Sequence, residues 1–174
     1  MPQNLELKAR VVSLERVRLA ARRLGARKTG TWHQRDTYFA VRRGRLKLRE
    51  TGNSRAELIA YERPDTAGSR FSRYDVYPVE RPRTLRRMLG AALEVRTVVR
   101  KHRTVYLFQN CRIHADRVRG LGNFLEFEVV VKRGKAQAKT LMQAMIRHFG
   151  VSREAFVGRS YCDLLMSASR RKRT

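Results

Sequence analysis

Charged and apolar residues alternate along residues 4–10, NLELKAR: Glu6, Lys8 and Arg10 share one parity, Leu5, Leu7 and Ala9 the other. Successive side chains of an extended strand point to opposite faces, so this stretch has one charged face and one apolar face. The pattern recurs in Arg45, Lys47 and Arg49 against Leu46 and Leu48, and Lys101 and Arg103 share a parity. It recurs again in Arg112, His114 and Asp116 against Ile113 and Ala115, and in Glu126 and Glu128 against Leu125, Phe127 and Val129. Segments of this kind predict a sheet curled around a polar lumen, its outside packed under helices.

Between these segments the period changes. Ser13 is placed to cap a helix with apolar positions Leu14, Val17, Ala21 and Leu24, and Gly25 to stop it. Further strands are predicted over 32–41, 45–51, 57–63, 71–79, 95–108, 112–118 and 124–131, with turns at Gly44, at Gly52, Asn53 and Ser54, and at Gly120 to Gly122. A second helix starts at Pro82 with an apolar side of Leu85, Met88, Leu89 and Leu93. A third follows Lys135, through Leu141, Met145, Ile146 and Phe149, and a fourth covers about 161–168. The expected fold class is α+β: a closed eight-stranded antiparallel β-barrel with helices packed outside. The order strand, helix, strands occurs twice, which hints at an internal duplication. One domain over residues 1–169 is expected, followed by a basic, disordered tail over 170–174.

The 174 residues suffice for one domain with a sizeable core. Forty Lys and Arg against 15 Asp and Glu give a net charge of +25, so polyanions are the expected partners. The two cysteines, Cys111 and Cys162, have no metal-ligand spacing and no bridge framework, which points to a reducing compartment, the cytoplasm. No run reaches the roughly 18 apolar residues of a membrane span, so no membrane partner is expected. The charged parity itself carries seven basic positions (Lys8, Arg10, Arg45, Lys47, Arg49, Lys101, Arg103) against four acids (Glu6, Asp116, Glu126, Glu128). Buried charge of one sign needs a counter-ion, and Arg and Lys suit phosphate oxygens. Clustered carboxylates suit Mg²⁺ or Mn²⁺, so the lumen is expected to hold a metal polyphosphate. His114 reads as a structural, hydrogen-bonded residue, and Gly120 to Gly122 as a turn, since no helix follows to make a phosphate loop.

NLELKAR, RLKLRE at 45–50, LIAYERPD at 58–65, VRKHR at 99–103 and RIHADRVRGLGNFLEFE at 112–128 together resemble the CYTH superfamily of triphosphate tunnel enzymes. The likeness spans about residues 4–131 and is closest to bacterial proteins classed as class IV adenylate cyclases. It implies an eight-stranded tunnel, bound divalent metal (Mg²⁺ or Mn²⁺) and a triphosphate. On the matching positions it implies metal ligands at Glu6, Asp116, Glu126 and Glu128, and phosphate contacts from Lys8, Arg45, Lys47, Arg49, Lys101 and Arg103. Lys8 and Asp116 are the implied catalytic residues. Two positions depart from the family pattern: Asn4 replaces the first motif carboxylate, and Glu62 replaces a lysine for which Arg63 is the substitute.

The leading activity is conversion of ATP to cyclic AMP and pyrophosphate, with inorganic or organic triphosphatase as the alternative. The expected partner is a nucleoside triphosphate or inorganic tripolyphosphate. A rival from another class is a non-catalytic protein that binds polyphosphate or, non-specifically through surface charge, nucleic acid. Monomer and homodimer are both open.

Overall fold

The computed structural model describes residues 3–52 and 55–171. Eight strands run β1 (Gln3–Arg10), β2 (Arg27–Phe39), β3 (Arg45–Thr51), β4 (Arg55–Glu62), β5 (Arg70–Pro78), β6 (Val95–Phe108), β7 (Cys111–Val118) and β8 (Gly122–Val130). Helices α1 (Leu14–Arg23), α2 (Pro82–Ala92), α3 (Lys135–His148) and α4 (Tyr161–Arg171) join or follow them. The strands close into a barrel in the order β1-β5-β4-β3-β2-β6-β7-β8, and every pairing is antiparallel.

The alternation in β1, β7 and β8 does what the pattern requires. Leu5, Leu7 and Ala9, with Ile113, Ala115, Leu125, Phe127 and Val129, point outward and are buried beneath Leu14, Val17 and Ala21 of α1 and Ala138, Met142 and Met145 of α3. Ser13 caps α1 by accepting a hydrogen bond from the Arg16 amide. The opposite parity faces the lumen, as the register shows: Glu6 lies opposite Glu128, Lys8 opposite Glu126, Arg103 opposite Asp116 and Arg49 opposite Asp36.

One end of the barrel is stoppered. Tyr161 and Cys162 at the start of α4 pack against Tyr38, Val99, Val118 and Phe124, all on the lumen parity. The preceding segment bonds to the barrel rim, with Val157 N–H donating to Lys8 O and Arg70 to Val157 O. At the other end the lumen-facing Val76 is 44% exposed, so solvent enters there.

Three expectations need revision. The second strand begins at Arg27, five residues early, and takes in Gly30 through a register shift between Lys28 and Gly30. Helix α2 forms as predicted, yet none of its residues is buried, so its apolar side is not a core face. Arg170 and Arg171, expected in a disordered tail, form the last turn of α4. The rest of that tail, 172–174, and the turn residues Asn53 and Ser54 lie outside the described residues. Among the described residues no helix is long and apolar enough to cross a membrane.

Phe127 is fully buried and packs edge-on against Phe149 of the α3 C-cap at 5.1 Å between ring centroids. Phe127→Ala is expected to lower the unfolding free energy by about 3–5 kcal/mol. Urea denaturation checks this, as a lower midpoint at unchanged slope.

Candidate active site in the barrel lumen

The lumen is a cavity of about 200 Å³. Glu6, Lys8, Lys47, Arg49, Arg63, Lys101, Arg103, Glu126 and Glu128 all line it. They reach it from β1, β3, β6, β8 and the residue after β4. Its lining carries seven basic and five acidic side chains, leaving positive charge in excess.

The basic wall is built on Asp36 of β2. This carboxylate is 1% exposed and accepts two hydrogen bonds from Arg49, Nε and Nη2 both at 2.8 Å, and one from Lys101 Nζ at 2.7 Å; Lys47 Nζ stands at 3.5 Å. Burial alone would raise its pKa, but Arg49, Lys101 and Lys47 together hold it well below the usual carboxylate range. One anion thus serves three cations, two of which are easily discharged. Burial, with Arg49 adding repulsion, brings Lys47 down to about 8. Burial brings Lys101 down to about 7 even with Asp36 beside it.

The acidic wall lies across the lumen on β1 and β8. Glu126 meets Lys8 at 3.1 Å and Arg103 at 2.5 Å, and these cations overcome burial to hold its carboxyl well below the ordinary range. Glu128 pairs with Arg112 at 3.0 Å; His114 and Arg112 outweigh burial and keep it at about 2. Glu6 is raised instead, by burial and the neighbouring Glu128, although Arg63 at 3.7 Å and the Ser72 hydroxyl, which donates to it, pull the other way.

His114 is placed differently from its expected structural role. Its Nδ1 is buried without a hydrogen-bond partner and faces Glu126 Oε2 and Glu128 Oε1, each at 3.7 Å. Ligand atoms of His114, Glu126 and Glu128 all lie within 4.8 Å of one another. Hard carboxylate oxygens with one imidazole fit a divalent cation such as Mg²⁺ or Mn²⁺, and a bound ion would satisfy the orphaned imidazole nitrogen.

Two expected site residues are placed elsewhere. Asp116, expected on the metal, is fully buried behind the lining: Arg103 grips it through two hydrogen bonds at 2.7 and 2.5 Å, and Tyr161 Oη donates to it at 2.9 Å. Both oxygens are taken, so its physical effect is to fix Arg103. Arg45, expected on phosphate, reaches over the rim to Asp65 and to Asp163 of α4. Asn4 faces the lumen, its Oδ1 accepting from Tyr74 Oη at 3.4 Å.

Sequence reasoning missed Asp36, Tyr161 and the pair Tyr61 and Tyr74. Asp36 shares the lumen parity with Gln34 and Tyr38, but the other face of β2 carries His33 and Arg35, so no apolar alternation marks it. Tyr161 comes from a helix, and no strand pattern could have flagged its reach into the barrel. Lys8 Nζ lies 3.9 Å above its ring centroid.

The family model for the CYTH domain matches residues 2–161. The chain belongs to the CYTH family. No curated protein matches it by sequence. Among solved structures, a Pyrococcus horikoshii protein superposes with a TM-score of 0.84 at 24% identity, covering 92% of this chain and 98% of the other. A Vibrio parahaemolyticus protein with a provisional adenylate cyclase name gives 0.76 at 19% identity, covering 93% and 97%. A Hippeastrum protein, provisionally named an adenylyl cyclase and described as having a dominant triphosphatase activity, gives 0.64 at 15% identity, covering 97% and 96%. At these identities the likeness is one of fold, and the CYTH barrel is what this chain shares with them.

Asp36→Asn leaves three lumen cations without their shared anion, a loss expected at about 3–5 kcal/mol. Thermal unfolding should show a lower midpoint, partly restored by saturating tripolyphosphate. Because the folded pKa of Asp36 is depressed, its contribution is present above the unfolded value of about 4 and is lost as pH falls further. The acid limb of the wild-type stability profile should therefore flatten in the variant.

A bound polyanion recharges the two lysines, so tripolyphosphate binding near pH 8 should take up protons, and the uptake should vanish below about pH 6, where both already carry charge. Calorimetry in buffers of different ionisation enthalpy measures this. Lys101→Arg should lower the uptake relative to wild type.

Proposed function

We propose that this CYTH protein is a metal-dependent enzyme acting on a nucleoside triphosphate, with cyclisation of ATP to cyclic AMP and pyrophosphate as its reaction. The observation that carries this is the division of one lumen into three surfaces. Lys47, Arg49 and Lys101 form a cationic wall, Glu6, Glu126 and Glu128 an acidic one, and Ile59, Tyr61, Tyr74 and Val76 on β4 and β5, with Glu57 beyond Ile59, a third, more apolar one. Inorganic tripolyphosphate has no use for the third surface. A nucleoside does, and the wall runs out to the open end at Val76, which leaves the phosphates inside among the cations.

Glu6, Glu126 and Glu128, with His114, would hold the divalent ion, which when bound supplies charge neutralisation at the phosphates. The chain's own residues do the positioning. In the proposed reaction the ribose 3′ hydroxyl gives its proton to solvent as its oxygen bonds to the α-phosphorus, the bond to the bridging oxygen breaks, and pyrophosphate leaves with the electron pair. Lys47, Arg49 and Lys101 stabilise the charge that grows on that leaving group. Arg103, clamped by Asp116 and Glu126, and Lys8, held by Glu126 and the Tyr161 ring, are fixed before substrate arrives, so little reorganisation is needed. Asp116 acts through Arg103 in this reading, and Arg45 ties the rim to α4.

Product analysis by chromatography after incubation with ATP and Mg²⁺ or Mn²⁺ tests the proposal. Cyclic AMP with pyrophosphate is the expected result, and Glu126→Gln or Glu128→Gln should lower turnover by about two orders of magnitude or more without unfolding the barrel. ADP with phosphate, together with cleavage of inorganic tripolyphosphate, replaces the cyclase with a triphosphatase. No product from protein shown to bind tripolyphosphate makes it a binding protein.

A further inference from the structure

The outer face of β2, β6 and β7 breaks the rule that the barrel's exterior is apolar and covered. The register lays two rows of side chains across it: His33 opposite His102 opposite Arg117, and next to it Arg35 opposite Arg100. Arg119, whose amide donates to Arg100 O, extends the second row. These six residues line one broad surface concavity. His33, His102, Arg100, Arg117 and Arg119 are exposed.

Two features separate this face from the general positive charge of the chain. The rings of His33 and His102 stack, with centroids 4.3 Å apart and planes 18° from parallel, making a small aromatic platform in the middle of the arginines. The cations around it also lack counter-charge. Glu50 is the one acid lining the concavity, and it is engaged by Arg86 at 2.6 Å and by Arg35 at 3.9 Å. Arg100, Arg117 and Arg119 form no ion pair among the described residues. Burial, His33, Arg117 and Arg18 of α1 all lower the pKa of His102, which favours a neutral stacked ring.

Unpaired arginines flanking an exposed aromatic platform on an uncovered outer face of the barrel match what a single-stranded nucleic acid offers: a chain of phosphates with π-faced bases between them. Arg117 lies on the outer face of β7 and Arg119 in the turn that follows it, so the two offer separate points of positive charge at the edge of the platform. We infer that the outer face of β2, β6 and β7 is a binding site for single-stranded nucleic acid, with phosphates on Arg35, Arg100, Arg117 and Arg119 and a base stacked on the His33 and His102 pair.

The test uses the full chain and a fluorescent oligothymidylate of about 15 nucleotides without terminal phosphates, followed by anisotropy at several salt concentrations. Arg117→Glu with Arg119→Glu should weaken binding by about tenfold or more and reduce the salt slope. Lys132→Glu with Lys139→Glu, an equal charge change beside and within α3, should shift it by no more than about twofold. His33→Ala with His102→Ala should remove the preference for the single strand over a hairpin duplex, because stacking, not charge, distinguishes them. Saturating tripolyphosphate at matched ionic strength should leave the oligonucleotide bound. Equal weakening by both charge reversals, displacement by tripolyphosphate, or a wild-type preference for the duplex would each overturn the assignment.

Discussion

A carboxylate buried among three cations governs this molecule. Eight strands enclose an interior just wide enough for side chains to fill, and here most of that filling is charged. Asp36 makes such an interior tenable by binding Arg49, Lys101 and Lys47 at once. It does not neutralise them. The remaining charge is held in a low-dielectric setting where an anion is worth most, and the low pKa values of Lys47 and Lys101 show how near to discharge the wall stands before that anion arrives. Lumen stability and affinity for phosphate are in this sense one electrostatic problem.

The barrel's connectivity has a symmetry that its chemistry breaks. Each half of the chain runs strand, helix, three strands, and exchanging β1–β4 with β5–β8 leaves the order of neighbours around the barrel unchanged. Under that exchange the pair β1 and β8 becomes β5 and β4. The first pair carries Glu6, Lys8, Glu126 and Glu128; the second carries Ile59, Tyr61, Tyr74 and Val76 with the single acid Glu57. The acidic wall and the more apolar wall are equivalent places in a repeated scaffold, furnished with different chemistry. This topology accords with the duplication hinted at by the repeated element order.

How far the sequence could be read depended on whether a strand contrasts its two faces. In β1, β3, β7 and β8 charge alternates with Leu, Ile, Phe or Val, so barrel, lumen and most lining residues were legible. In β2 both faces are polar, and with the contrast went the start of the strand at Arg27, the role of Asp36 and the exterior histidine pair. Parity also says which side a residue faces but not how far its side chain reaches. Arg45 and Asp116 have lumen parity, yet one leans over the rim to Asp163 and the other is drawn back by Arg103 and Tyr161. Helix α2 shows the same limit from the other side, since its spacing gives a helix without showing that it lies on the periphery.

The stopper formed by Tyr161 and Cys162 has a consequence for traffic. A lumen closed at one end admits and releases everything through the other, so molecules move in single file and what enters first leaves last. A triphosphate that goes in with its phosphates leading puts the fragment bearing them behind the organic fragment on the way out. Whichever bond is cut, the polyphosphate-derived product is then the last to depart, held by the most cationic part of the wall. In the proposed reaction that fragment, still facing Lys47, Arg49 and Lys101, competes with the next substrate for the same wall.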